Sequence, residues 1–343
     1  MVFLKFESHK YSIKTEHFNF QLNSFSAYRN NIINQSRFLK TYYICITSLK
    51  FSSMNRIGDS ELILNADGSI FHLHLKPENI GDYIILVGDQ GRVEMVSKYF
   101  EKIDFKVQNR EFKTHTGMYK GKRISVLSTG IGTDNIDIVV NELDAIVNID
   151  LDKRVPKSVH KTLNLIRIGT SGALQEDIPV DTPVLSETSI GFDGLLNFYA
   201  GRDELGNEDI ENAFINYTGW HKRLPAPYFA DASKELINKI GEGMLKGITI
   251  SAPGFYGPQG RVLRLQTADP ELNDKISKFE YKGRKITNFE MESSAIAGLS
   301  KLLGHNAVTV CSIIANRFRK EYSQDYKIAV EKLVKTILDR IVL

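Results

Sequence analysis

Residues 163–174 read LNLIRIGTSGAL. Apolar and polar residues alternate and then run into Arg167, Ile168, Gly169, Thr170, Ser171 and Gly172, the pattern of a buried strand ending in a tight, hydroxyl-rich turn. Such a turn is suited to an anion: glycines let the backbone approach, Thr170 and Ser171 offer hydroxyl donors, and Arg167 supplies a forked cation for phosphate oxygens. An ordinary loop closing a strand has the same composition, so the reading depends on what other segments add.

Two segments upstream repeat the arrangement. YIILVG (83–88) reads as a strand, GDQGR as a glycine turn, and the spacing of Val93, Val96 and Phe100 predicts a helix from Val93 to Ile103. KRISVLS (122–128) is a second strand, TGIGT another glycine turn, and residues 135–149 an amphipathic helix carrying Ile138, Val139, Glu142, Leu143 and Ile146. Strand, glycine turn and helix together direct free amides and a helix N-terminus at a ligand. Neither turn is a P-loop or a G-x-G-x-x-G fingerprint. Strands alternating with helices predict an α/β fold with a mainly parallel or mixed sheet sandwiched by helices, and ligands at the carboxyl ends of its strands. Those ends carry Gly88, Arg92, Gly130, Gly132, Arg167 and Thr170.

Composition narrows the class. With 44 Lys+Arg against 41 Asp+Glu and the two signs interleaved, no nucleic-acid surface is expected. The two cysteines, Cys45 and Cys311, match no metal or redox spacing and fit a reducing, cytoplasmic setting. No apolar run reaches the roughly 18 residues of a membrane helix, and no signal-peptide pattern opens the chain.

Residues 1–53 differ from the rest: they are rich in Asn, Phe, Ser, Lys, Tyr and Ile and hold neither a period of 2 nor of 3.6. They are expected to be a dispensable extension or a mis-assigned start, with the functional domain, 54–343, beginning at or near Met54. Next, SELILNADGSIFHLHL reads as two β-like segments about an Asp67-Gly68 turn, with His72 and His74 on one strand face. Paired histidines raise the question of a metal. With no third ligand nearby, polar residues on an exposed or interfacial strand are the simpler reading, and no metal site is expected.

The later chain adds polar groups that an inorganic anion would not need. GITISAPGFY (247–256) is a strand breaking at Pro253-Gly254, and FYGPQGR (255–261) presents Gln259 and Arg261 beside an aromatic pair. An amide and a guanidinium match the carbonyls and N–H of a flat imide, and Phe255 offers stacking area. NFEMESSAIAGLSKLLG (288–304) opens a predicted helix with Glu290 and Glu292 in its first turn, separated by Met291. Acids there commonly complement the helix dipole. A carboxylate also accepts a sugar's vicinal hydroxyls, and a thioether makes a soft floor beneath a ribose.

FHLHL, VGDQGRVE, NREFKTHTG, STGIG, RIGTSGAL, FYGPQGR and NFEMESSA, in this order and at these intervals, resemble the nucleoside phosphorylase superfamily, most closely its uridine-cleaving branch. The similarity spans roughly Ile70 to Ile341. It implies a three-layer α/β/α domain whose central mixed sheet curls into a partial barrel, and a homo-oligomer built from dimers, typically a hexamer, with active sites shared across a dimer interface. It assigns phosphate to Gly88, Arg92, Arg167 and Thr170, with Arg110 contributed by the neighbouring subunit. His72 would reach across to the ribose 5′-hydroxyl. Glu292 would accept the 2′- and 3′-hydroxyls, Met291 would line the ribose with Glu290 beside it, and Gln259 and Arg261 would read uracil, with Phe255 against the base and Ser171 near it. GDQGR in place of the commoner GDPxR, GIGTDN in place of a Gly-Gly-Pro-Ser-like run, and Ser171 where Thr is frequent depart from the family pattern without removing a charge.

The chemistry so implied is phosphorolysis of uridine, with deoxyuridine and thymidine as further candidates, to uracil and a pentose 1-phosphate, in pyrimidine salvage or catabolism. Inorganic phosphate is the co-substrate and no cofactor is expected. Arginines about phosphate fix its approach to C1′, and Arg261 with Gln259 stabilise the charge that builds on the departing base. Purine-cleaving relatives place an Asp just after the strand equivalent to VTVCSIIANR, where this chain has Ile313 and Ile314. A purine or broad-specificity phosphorylase, a hydrolytic nucleosidase of the same fold and a non-catalytic nucleoside-binding protein are the competing readings.

Overall fold

Strand β1 (Tyr83–Val87) buries residues on both of its faces: Ile84 and Leu86 pack into one hydrophobic cluster, Ile85 and Val87 into another. A strand buried on both sides needs cover on both sides, and the chain supplies it. The computed structural model describes residues 56–343 apart from Asn207, so the expectation about residues 1–53 lies outside the described residues.

After β1 come helix α1 (Gly91–Ser97), the antiparallel strands β2 (Lys102–Asn109), β3 (Phe112–Tyr119) and β4 (Lys122–Ser128), helix α2 (Thr133–Asn148), and strands β5 (Asn164–Ala173) and β6 (Pro183–Gly191). Helix α3 (Glu208–Thr218), β7 (Tyr228–Asp231), α4 (Lys234–Ile240), β8 (Leu245–Ser251), α5 (Leu272–Lys278), β9 (Arg284–Glu290), α6 (Ser293–Leu302), β10 (Asn306–Asn316), β11 (Glu321–Tyr322) and α7 (Tyr326–Val342) follow. Val139, Leu143 and Ile146 of α2 and Ile296 and Leu299 of α6 cover one face of the sheet; Val93 and Val96 of α1, Leu236 and Ile240 of α4, and Leu333, Val334, Ile337 and Leu338 of α7 cover the other. The result is the expected α/β/α sandwich.

The sheet is mixed. Its strands run β9-β8-β6-β10-β5-β1-β4-β3-β2, and β9 also pairs with β5, through Asn288 opposite Ala173 and Phe289 opposite Gly172. That last pairing closes β9, β8, β6, β10 and β5 into a ring, which is the barrel-like part.

Local details depart from the sequence reading. The hydroxyl-rich segment 169–172 is not a turn: β5 continues through it to Ala173, held by β10 on one side and by β9 on the other. Helix α1 stops at Ser97, and Ile103 lies in β2. The Asp67-Gly68 turn forms, but only an isolated bridge joins Leu64 to Ile70, and His74 has φ 51°. A non-glycine residue in the left-handed region ends an extended run, so His72 and His74 do not share a strand face. Glu290 ends β9 and Glu292 caps α6 from outside, so neither carboxylate lies in a first helical turn.

Candidate active site

The carboxyl ends of β1 and β5, the end of β9, the loop after β8, and strands β10 and β11 through Ile314, Ala315 and Tyr322 converge on a cleft of about 490 Å³. Gly88, Arg92, Arg167, Thr170, Ser171, Phe255, Gln259, Arg261, Glu290, Met291 and Glu292 all line it. These residues are distributed over the chain from 88 to 292, and the fold brings them to one place. Arg110 and His72 do not line it. Arg110 sits at the tip of the β2–β3 hairpin with φ 53°, and His72 borders a separate hollow beside α2.

Two arginines of the lining, Arg92 and Arg167, have partners of their own. Arg167, on β5, is buried, and its guanidinium pairs with Glu292 and lies 3.6 Å from Glu290. Its Nε has no partner among the described residues. Burial works against the charge on Arg167, but Glu292 and Glu290 more than offset it and hold the guanidinium above its ordinary range. β5 can carry this side chain because of Gly169: a Cβ there would lie 1.8 Å from Arg167 Nη1 and 2.9 Å from Cys311 Sγ. Arg92, at the start of α1, pairs with Asp89 and reaches the Ile168 carbonyl at 3.4 Å. Burial pushes the Cys311 thiol up to about 12, so it stays protonated beside Arg167.

Glu292 and Glu290 have different environments. The Gly132 amide donates to Glu292 Oε1 at 2.8 Å; Gly132 has φ +100°, a conformation that glycine takes without strain. Burial, together with the neighbouring charge of Glu290, outweighs Arg167 and pushes the Glu292 carboxyl up to about 7. Both members of the Arg167–Glu292 pair therefore shift upward, Glu292 chiefly through burial with Glu290 adding to it, and Arg167 through its two carboxylates. Glu290 is enclosed by donors: the Ser251 and Ser293 hydroxyls at 2.6 Å each, the Ser293 amide at 2.9 Å and the Glu292 amide at 2.9 Å. It holds the Met291–Glu292 corner in place.

In the same lining, Arg261 lies with its guanidinium carbon 3.7 Å from the centre of the Phe255 ring, donates to the Phe255 carbonyl at 2.6 Å and bonds Gln259 Oε1. Gln259 is 3% exposed, and the Asn273 amide holds its carbonyl at 3.0 Å. With Oε1 occupied by Arg261, the pair presents N–H donors from both side chains. Burial, then repulsion from Arg317, lowers Arg261 to about 10, still charged near neutrality.

Sequence reasoning missed Asp89, Ile131, Phe289, Ala315 and Tyr322, which also line the cleft. The i, i+3 spacing of Asp89 and Arg92 in GDQGR is the one signal that could have found any of them. Among the described residues one cluster has metal-ligating composition: Asp144, His160 and His305. It does not fit a cation. His305 Nδ1 accepts the Leu163 amide at 3.1 Å, so in the neutral ring the proton sits on Nε2, which faces Asp144 at 3.1 Å.

A family model described as the Phosphorylase superfamily matches residues 82–342. The chain is 29% identical over 264 residues to a uridine phosphorylase of Thermococcus kodakarensis, covering 75% of this chain and 81% of that one. It is 28% identical over 253 residues to a DeoD-type purine nucleoside phosphorylase of Listeria welshimeri, covering 73% and 88%. Among solved structures, a Trypanosoma brucei nucleoside phosphorylase described as showing uridine phosphorylase activity superposes with a TM-score of 0.74 at 30% identity, covering 82% of this chain and 99% of that one.

Proposed function

The chain belongs to the phosphorylase superfamily, and from that premise we propose that it cleaves uridine by phosphorolysis to uracil and ribose 1-phosphate. The observation that carries this reading is that one cleft is lined by two polar sets, Arg167 and Arg92 with Glu292 and Asp89 as their partners and the mutually bonded Gln259–Arg261 pair against Phe255, with Met291 in the same lining.

A phosphate beside these arginines would be held by Arg92, Arg167, the Thr170 hydroxyl and the backbone at Gly88, with Arg110 of a neighbouring subunit completing the set. Holding the anion in place converts a bimolecular attack on C1′ into a positioned one. Glu292 accepts the ribose 2′- and 3′-hydroxyls above Met291, with Ser171 near the base. As the glycosidic bond lengthens, charge builds on the uracil oxygens, and Arg261 and Gln259 meet it with donors already oriented by Phe255 and by each other.

The leaving group favours a pyrimidine. Purine departure is helped by an acid at N7. The carboxylates lining the cleft are Asp89, Glu290 and Glu292, and each is committed, to Arg92, to the serine cage and to Arg167 respectively. Of the two positions that the resemblance matches to the acid of purine-cleaving relatives, Ile314 lines the cleft and Ile313 is buried, and neither carries a carboxylate. Uridine, deoxyuridine and thymidine are the substrate candidates. Inorganic phosphate is the co-substrate, and the working form is a homo-oligomer, at least a dimer and typically a hexamer, in the cytoplasm. No helix among the described residues is long and apolar enough to cross a membrane. The test is uracil release from uridine by the purified protein with and without phosphate: uracil with ribose 1-phosphate, formed only when phosphate is present, supports the reading, and phosphate-independent release makes the protein a hydrolase.

A further inference from the structure

Glu142 lies on α2, outside the cleft, and its carboxylate is spent on one turn. The backbone amide of His72 lies 3.1 Å from each carboxylate oxygen, the Leu73 amide donates to Oε2 at 2.9 Å, and His72 Nδ1 lies 2.6 Å from Oε1. From the other side Asn109 donates to the His72 carbonyl at 2.8 Å, and the Phe71 ring packs edge-on against the imidazole at 4.8 Å. The ring itself is partly open, with 27% of the His72 side chain exposed against 14% of Glu142. Among the described residues no group bonds Nε2.

A carboxylate oxygen only accepts, so the Nδ1 contact requires the proton on Nδ1. In the neutral ring that leaves Nε2 as a bare acceptor at the open edge of a fixed imidazole. Helix α2 is anchored in the core by Val139, Leu143 and Ile146, so the orientation is tied to the rigid part of the fold. A surface histidine with no task would not need its backbone and its ring secured by one carboxylate.

We propose that Glu142 is the positioning residue for His72: it sets the tautomer and direction of the imidazole so that Nε2 accepts the 5′-hydroxyl of a nucleoside bound in the cleft of a second copy of this chain. The inference rests on the nucleoside reading above and deepens it. The hydroxyl donates its proton to Nε2, and no covalent change is involved.

Glu142→Gln separates this role from simple packing. An amide has one accepting oxygen; with that oxygen satisfying the backbone N–H groups, its NH2 faces Nδ1 and forces the proton to Nε2, turning the acceptor into a donor. The comparison is kcat/KM for uridine and for 5′-deoxyuridine, which lacks the hydroxyl. The wild type prefers uridine by roughly tenfold, the scale of one hydrogen bond. Glu142→Gln and Glu142→Ala bring the ratio close to one by lowering uridine alone, His72→Ala does the same, and adding Glu142→Ala to His72→Ala changes nothing further. A wild type without preference, a preference retained in the Glu142 variants, or an equal fall on both substrates overturns the proposal.

A second measurement does not depend on turnover. In 15N-histidine-labelled full-length protein, His72, assigned with His72→Ala, shows a protonated Nδ1 and a bare Nε2, reversed in Glu142→Gln. A proton on Nε2 in the wild type overturns the positioning role. If uridine is not cleaved at all while the tautomers are as stated, the nucleoside reading fails and the orienting function of Glu142 stands.

Discussion

The guanidinium of Arg167 and the carboxylate of Glu292 form an ion pair in which the side chains are 5% and 4% exposed. On the proposed function these groups serve different substrates, Arg167 the phosphate and Glu292 the ribose. Each occupies the other, so a phosphate and a sugar would both compete with this internal contact.

Glu292 must be ionised to accept two hydroxyls, and burial pushes its carboxyl up to about 7. The protonated form dominates below that value, so nucleoside affinity falls as pH drops below about 7, approaching tenfold per pH unit well below it. Calorimetric titration of uridine without phosphate checks this. An affinity flat from pH 5 to 8 contradicts the hydroxyl-accepting role. Glu292→Gln should remove the dependence and harm uridine more than 2′-deoxyuridine.

Gly169→Ala places a methyl group where Arg167 Nη1 and Cys311 Sγ now lie, 1.8 and 2.9 Å from the new carbon. β5 is held by strands on both sides and cannot move away, so the guanidinium must shift. Losing one charge-assisted contact of about 1.5–3 kcal/mol corresponds to a rise in KM for phosphate of roughly 10- to 100-fold. Steady-state kinetics with phosphate as the varied substrate measures it; an unchanged KM for phosphate removes Arg167 from the phosphate site.

Arg261→Ala removes a donor from the Gln259–Arg261 pair proposed to meet the base, together with the stacking partner of Phe255. The expected loss of transition-state stabilisation is ~2–4 kcal/mol, the scale of one oxyanion-type donor. It appears as lower kcat/KM for uridine. Full activity in this variant rules out the base-reading role.

Glu290→Ala leaves the Ser251 and Ser293 hydroxyls and the amides of Glu292 and Ser293 without their acceptor in a buried site. Unsatisfied buried donors cost about 1–3 kcal/mol each before any relaxation. Chemical denaturation should show at least about 2 kcal/mol of lost stability, alongside reduced activity. A stable, inactive variant would instead make Glu290 a direct ligand of the sugar.

Much of this site was readable because its signals are local. Gly88 and Arg92 follow a strand at fixed spacing, Gln259 and Arg261 share one short turn, and Met291 and Glu292 are adjacent, so short motifs kept in order sufficed to assemble the cleft. The parts that were misread depend on distant partners. Residues 169–172 look like a turn in isolation and become strand because β10 pairs along all of them and β9 pairs with Gly172 and Ala173, both more than a hundred residues away. The role of Glu290 depends on Ser251 from β8, and that of Glu142 on a turn 70 residues upstream. His74 broke the predicted strand through a backbone conformation that no periodicity reports.

The central claim, a phosphorolytic enzyme that selects uridine, is tested most directly by giving the purified protein uridine and inosine together with phosphate and following both bases. Uracil and ribose 1-phosphate, with little hypoxanthine and no uracil when phosphate is omitted, is the predicted result. Hypoxanthine as the main product would contradict the selection of pyrimidine by Gln259 and Arg261, and release of either base without phosphate would contradict the role given to Arg92 and Arg167.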